Sequence, residues 1–129
     1  MPFLPKARQV VWTRHAKNKM VFYRLSEQRV LRVLHTPRRT EEGVAPKTIA
    51  MMQPSTVRTA AGRPDVGKEN GGPARKEIWS QEIWVMVQDL GRQRKIVSVW
   101  RYPGMTKPRS ESSLDTLRRE YREFLREGK

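Results

Sequence analysis

The chain contains no cysteine in its 129 residues, which excludes disulfides, thiolate metal sites and a cysteine nucleophile. Histidine is nearly absent as well. His15 and His35 alone are too few for a zinc site built without thiolates, and no HExxH-type spacing occurs, so no metal and no cofactor is expected. Long apolar runs are missing. The longest, Ile83 to Val87, is far below the ~18 residues that span a bilayer, and the opening MPFLPKARQ has no apolar stretch of signal-peptide length. The expectation is a soluble cytoplasmic protein that does not enter a membrane. Its length suits one domain over residues 1–129, large enough to bury a modest core without staples.

Acid is scarce where base is plentiful. The net charge is +14, and arginine outnumbers lysine by 18 to 9. Residues 1–40 hold ten cations against the single acid Glu27, so +9 of the excess falls in the first third, whereas residues 111–129 balance five against five. A basic patch of this kind draws polyanions and releases counterions on binding, and arginine's planar fork suits phosphate better than lysine's point charge. The expected partner is nucleic acid, and charge alone does not exclude DNA, because the phosphate contribution is common to RNA and DNA. An acidic protein partner is the next alternative.

Periodicity gives the order of elements. QVVWT (9–13) is β-branched and aromatic, as a strand requires. From Thr13 a helix of about ten residues follows, with Ala16, Met20 and Tyr23 on one face and Lys17, Lys19 and Arg24 outward. Ser26 caps a second helix with Glu27 in its first turn. Val30, Leu31 and Leu34 make its apolar stripe, Pro37 stops it, and Arg29, Arg32, Arg38 and Arg39 decorate its other side and its end. His35 is expected to meet the free carbonyls there, and Glu41-Glu42 reads as a solvated loop pair. TIAMMQ (48–53), EIWVMVQDL (82–90) and RKIVSVWRY (94–102) are strands, the last two a hairpin turning near Gly91. Residues 54–76, with three prolines and four glycines, read as a flexible loop. Within it, GRPDVGKE (62–69) imitates a phosphate loop but puts Glu69 where a magnesium-holding hydroxyl belongs, and it lacks the flanking strand and helix. A last amphipathic helix at about 113–127 is signalled by Ser112 and Asp115 and by the stripe Leu114, Leu117, Tyr121, Phe124 and Leu125. The fold class is therefore α+β: two N-terminal helices on a mainly antiparallel sheet of about four strands, plus the C-terminal helix.

Side-chain alternation sorts the hairpin. Ile83, Val85 and Val87 share one face, expected to pair with Val97, Val99 and Arg101 under the N-terminal helices. The other face, with Trp84, Met86, Trp100 and Tyr102, is expected to be covered by the C-terminal helix rather than left as an open stacking platform.

RHAKNKM…LSEQRVLRVLHTP followed by IVSVWRYP resembles the small RelE-like domains of unassigned function, in the barnase/RelE-like group of ribonuclease folds. Their pattern runs H-A, R-M, then R-G-I-S opening a second helix, and ends in a strand of T-V-Y type. His15-Ala16, Lys19-Met20, Leu25-Ser26 and Ser98-Val99-Trp100 fit with conservative changes, and the likeness covers roughly half the chain. Tyr23 and Arg24 stand where that family has arginine and glycine. Without the glycine, the turn between the helices is expected to be built differently. The resemblance implies RNA as ligand, and a toxin-like, metal-independent endoribonuclease as the enzymatic alternative. Metal-free cleavage needs a base, an acid and cations for the phosphorane charge. His15 is the candidate base or acid, Tyr23 its partner, and Arg24 and Arg101 the charge stabilisers. Equally open is a structural His15 that fixes the strand-to-helix turn. The candidate nucleic-acid contacts are Arg14, Lys17, Lys19, Arg29, Arg32, Arg38 and Arg39.

Overall fold

The computed structural model describes residues 8–59 and 77–127. The expected flexible loop, apart from residues 54–59, and the whole of GRPDVGKE lie outside the described residues. Strand β1 (Gln9–Trp12) leads into helix α1 (Arg14–Tyr23), helix α2 (Glu27–His35), β2 (Arg39–Glu42) and β3 (Thr48–Pro54). A short ribbon of β4 (Arg58–Thr59) and β5 (Glu77–Ile78) precedes the long hairpin β6 (Gln81–Leu90) and β7 (Gln93–Pro103), and α3 (Glu111–Glu127) closes the order. The main sheet has five strands in the order β1-β7-β6-β3-β2, all antiparallel except β1 beside β7. The class is α+β, with one strand more than the sequence suggested.

Local chemistry accounts for the helix starts. Thr13 is buried; its Oγ1 accepts from the Ala16 amide at 3.1 Å and donates to the Ile96 carbonyl at 2.6 Å. One hydroxyl therefore caps α1 and ties it to β7 where β1 ends. Ser26 caps α2 by accepting from the Arg29 amide at 3.0 Å. For α3 the cap is Ser110 and not Ser112: Ser110 Oγ accepts from the Ser113 amide at 3.3 Å, and the helix starts two residues earlier than expected. At the end of α2, His35 is exposed. The Arg32 and Thr36 carbonyls are instead served by Gln53 Nε2, at 3.1 and 2.8 Å.

The turn between α1 and α2 uses a left-handed residue despite the missing glycine. Arg24 itself adopts φ 57° and ψ 51°, and its amide caps α1. The expectation of a differently built turn is thus corrected. The turn is left-handed at Arg24 itself, at a cost of about 1–2 kcal/mol for a residue with a Cβ.

The sheet carries a core on each face. Under α1 and α2 lie Ile83, Val85, Val87, Ile96 and Val99, with Ala16, Met20, Val30 and Val33. On the other face α3 sets Leu117 and Phe124 against Trp84, Met86, Val97 and Trp100, and the two indoles stack 6.0 Å apart. The aromatic face is covered, as expected. One assignment changes: Val97 belongs with the tryptophans and Ile96 with the other face. Met86 pairs with Ser98 but Val87 with Ile96, so Val97 is an extra residue on β7 that resets the alternation from there on. The bulge turns Ser98 towards α3, where its hydroxyl is used.

Candidate nucleic-acid interface and the buried ionic network

His15 follows the Thr13 cap, and that position turns its ring inward. It is 1% exposed. Its Nε2 lies 3.3 Å from Glu120 Oε1. Its Nδ1 is 3.1 Å from Glu127 Oε2, though not aligned for a hydrogen bond. Glu120 is equally buried and also accepts from Ser98 Oγ at 2.5 Å and from Lys19 Nζ at 2.9 Å. Burial works against the imidazolium, but Glu120 and Glu127 outweigh it and raise the His15 pKa above 6.5. Burial likewise opposes the Glu120 carboxylate, yet hydrogen bonds from His15, Ser98 and Lys19 hold its pKa below 4.5. His15 is thus tied to α3 and not to the turn's backbone. His15, Glu120 and Glu123 could in principle offer ligand atoms to a metal ion, but Lys19 already supplies the cation that Glu120 needs.

The four residues considered for cleavage do not converge. His15 sits at the start of α1 and Arg24 just past its end, nine residues on, about 13 Å along the helix axis. Tyr23 is half-buried, its ring under Lys19 Nζ at 5.2 Å. Arg101 joins the Tyr23 end: its Nε donates to the Tyr23 carbonyl at 2.9 Å and its Nη1 to Gln81 Oε1 at 2.9 Å.

Around that end the structure gathers arginines. Arg101, Ile83 and Gln53 form one row across β7, β6 and β3, at about 4.8 Å per strand. Arg29, from α2 above, donates Nη1 to Gln53 Oε1 at 2.6 Å and Nη2 to the Pro54 carbonyl at 3.3 Å. Both guanidiniums are half-buried and both are held by neutral acceptors. Burial first, then the charges of Arg32 and Arg101, lower the Arg29 pKa. Arg24 and Arg32 are exposed beside them. Lys17 and Arg24, with Met20, Val21, Leu25 and Glu27, line a shallow groove between the two helices.

The remaining expected contacts divide. Arg14 and Lys17 are exposed, and among the described residues no carboxylate pairs with them or with Arg24, Arg29, Arg32 or Arg101. Lys19, expected to point outward, is committed to Glu120. Arg38 pairs with Glu77 and lies over the Trp79 ring. Arg39 is half-buried, bonded to Glu41 Oε2 at 2.9 Å and to Thr106 Oγ1 at 2.6 Å. Glu41 is accordingly no solvated loop residue: it is buried within β2. Residues given no site role from the sequence complete the picture: Glu120, Ser98, Gln53 and Gln81 as holders, and Phe22, which stands 74% exposed next to Tyr23.

Among the described residues no helix is long and apolar enough to cross a membrane. Comparison with family models, with curated proteins and with solved structures gave no match.

Proposed function

We propose that this protein binds RNA through the basic face formed by α1, α2 and the end of β7. The observation that carries this reading is the Arg29–Arg101 pair, two half-buried guanidiniums held in place by glutamine amides and backbone carbonyls. Burying like charges together costs free energy. A phosphate seated between them relieves the repulsion and takes charge-assisted hydrogen bonds from donors already oriented. Arg24, Arg32, Lys17 and Arg14 extend the positive surface along the two helices. The RelE-like motifs are the reason for choosing RNA over DNA.

Binding is preferred to cleavage because of His15. A ring 1% exposed and flanked by two carboxylates has no access to a ribose hydroxyl, and the remaining candidates lie at the other end of α1. Fluorescence anisotropy of end-labelled, mixed-sequence RNA across a salt series, with chelator present and the samples then run on a denaturing gel, tests both points. Affinity should fall steeply with salt, and Arg32→Gln should reduce the log–log slope by about 0.7, the value for one phosphate contact on a single strand. No new bands should appear. Salt-independent binding, or Arg29→Gln and Arg32→Gln variants that bind like the parent, would remove the interface. Chelator-resistant cleavage lost in Arg24→Ala would replace binding with catalysis. Absence of RNA affinity together with a stable acidic protein partner would select the protein-docking alternative.

A further inference from the structure

Val21 and Phe22 are the two most exposed large apolar side chains of the described residues, at 79% and 74%. Exposed phenylalanine is not unusual by itself. Its placement here is more specific. Phe22 directly precedes Tyr23, whose carbonyl holds Arg101, and Arg24, whose backbone stands in a conformation that only glycine adopts without cost. The Tyr23 ring meets the Phe22 ring edge to face, with centroids 4.8 Å apart and planes at 89°. Tyr23 is itself packed against both cores. The contact therefore steadies the Phe22 ring while leaving most of its surface to solvent. One helical turn earlier on the same side, Asn18 bonds to Glu127, which also faces His15; that carboxylate is already engaged by its own neighbours.

We infer that this surface selects single-stranded RNA over duplex, with Phe22 stacking on one unpaired base while the Arg29–Arg101 pair and Arg24 hold flanking phosphates. The inference rests on the RNA-binding reading of the same face. Its physical basis is a difference between the two ligands. An unpaired base offers a π-face that an aromatic ring can cover whatever its sequence, and arginines beside the ring track the backbone. A duplex keeps its bases stacked on one another and shows the protein mainly phosphate, so an exposed apolar ring gains nothing from it. Arginines alone would bind both forms; the ring adds the preference. Charge complementarity favours a polyanion over an apolar protein surface as the occupant, because Arg24 follows Phe22 by two residues and Arg101 is bonded to the carbonyl of the adjoining Tyr23, at the same end of α1.

The test uses the full chain with a short mixed-sequence oligoribonucleotide and with the blunt duplex made from it, at one fixed salt concentration. Phe22→Leu removes the π-face and keeps apolar bulk; Phe22→Trp enlarges the π-face. Because the side chain is exposed, both variants should melt like the parent. Phe22→Leu should weaken single-strand binding by about 5- to 150-fold, the range for one base–aromatic stack, and leave duplex binding unchanged. Phe22→Trp should equal or exceed the parent on the single strand. If Phe22→Leu changes neither ligand, or weakens both alike, while Arg32→Gln still weakens both, the stacking inference is overturned and the RNA interface stands. If the parent binds neither ligand, the RNA reading fails and the inference falls with it.

Discussion

Replacing Glu120 by glutamine probes the network that fastens α3 to α1. The carboxylate is 1% exposed and receives Ser98, Lys19 and His15. The amide keeps the volume but withdraws the charge, leaving Lys19 and a protonated His15 without their buried counter-ion. Breaking a buried pair from one side costs about 3–5 kcal/mol. Lys19, with 19% of its side chain exposed, can move towards water, so the low end, about 3 kcal/mol, is expected. In a chain of this size that is a fall in Tm of about 10 °C. The pH profile is the sharper readout. His15 has a raised pKa in the folded state, so its contribution is complete below its unfolded value near 6.5 and is lost as pH rises through the folded value. Glu120 has a lowered pKa, so its contribution is present above 4.5 and is lost as pH falls through the folded value. Between 4.5 and 6.5 both act. Urea and thermal denaturation across pH should show the parent's advantage over Glu120→Gln greatest in that window and shrinking on either side. A variant that melts with the parent at every pH would refute the view that this buried network holds α3.

Three further outcomes are expected. Arg24→Gly should raise stability by about 1 kcal/mol, since glycine tolerates φ 57°, while weakening RNA binding; calorimetry and anisotropy on the same preparation read the opposing effects. Glu82, fully buried, accepts from Trp79 Nε1, Trp84 Nε1, and the Thr106 amide and hydroxyl at 2.7–2.9 Å. Glu82→Gln turns an acceptor into a donor facing donors and should cost about 2–3 kcal/mol in urea titration, against almost nothing for exposed Glu42→Gln. Phe124→Ala, at 1% exposure under the stacked indoles, should cost about 3–5 kcal/mol and change the tryptophan emission.

The sequence revealed elements whose signals are local. Thr13 and Ser26 caps, the Gly91 hairpin and the amphipathic last helix needed only neighbouring residues. What stayed hidden depended on partners far along the chain. β2 is an edge strand spelled Arg-Thr-Glu-Glu; charged side chains suit an edge but resemble a loop until Glu41 is seen buried against Arg39. The bulge at Val97 could not be placed from alternation alone, because Ile96, Val97 and Val99 are equally apolar. On α3 the apolar stripe suggested Leu114, Leu117, Tyr121, Phe124 and Leu125 as the packed face. Leu117 and Phe124 are buried and Leu114 and Tyr121 pack half-buried against that core, but Leu125 is 51% exposed, and Ser113, Thr116 and Glu120 join the buried line instead. Glu120 falls three residues after Leu117 and four before Phe124, and this spacing was the available sign that an acid lay on the packed face. Its partner His15 is 105 residues away. The arginine site was half legible: Arg29 and Arg101 were both named, but as a phosphate contact and a catalytic group respectively, and only the row Arg101–Ile83–Gln53 across the sheet brings them together.

Amide chemical-shift mapping with a short single-stranded RNA tests the basic face most directly. The expected result is perturbation confined to residues 14–32 and to the neighbourhoods of Gln53, Pro54 and Arg101, saturable and suppressed by salt. Shifts confined to α3 or to the Gly91 end of the hairpin, or none at all at saturating RNA, would contradict it.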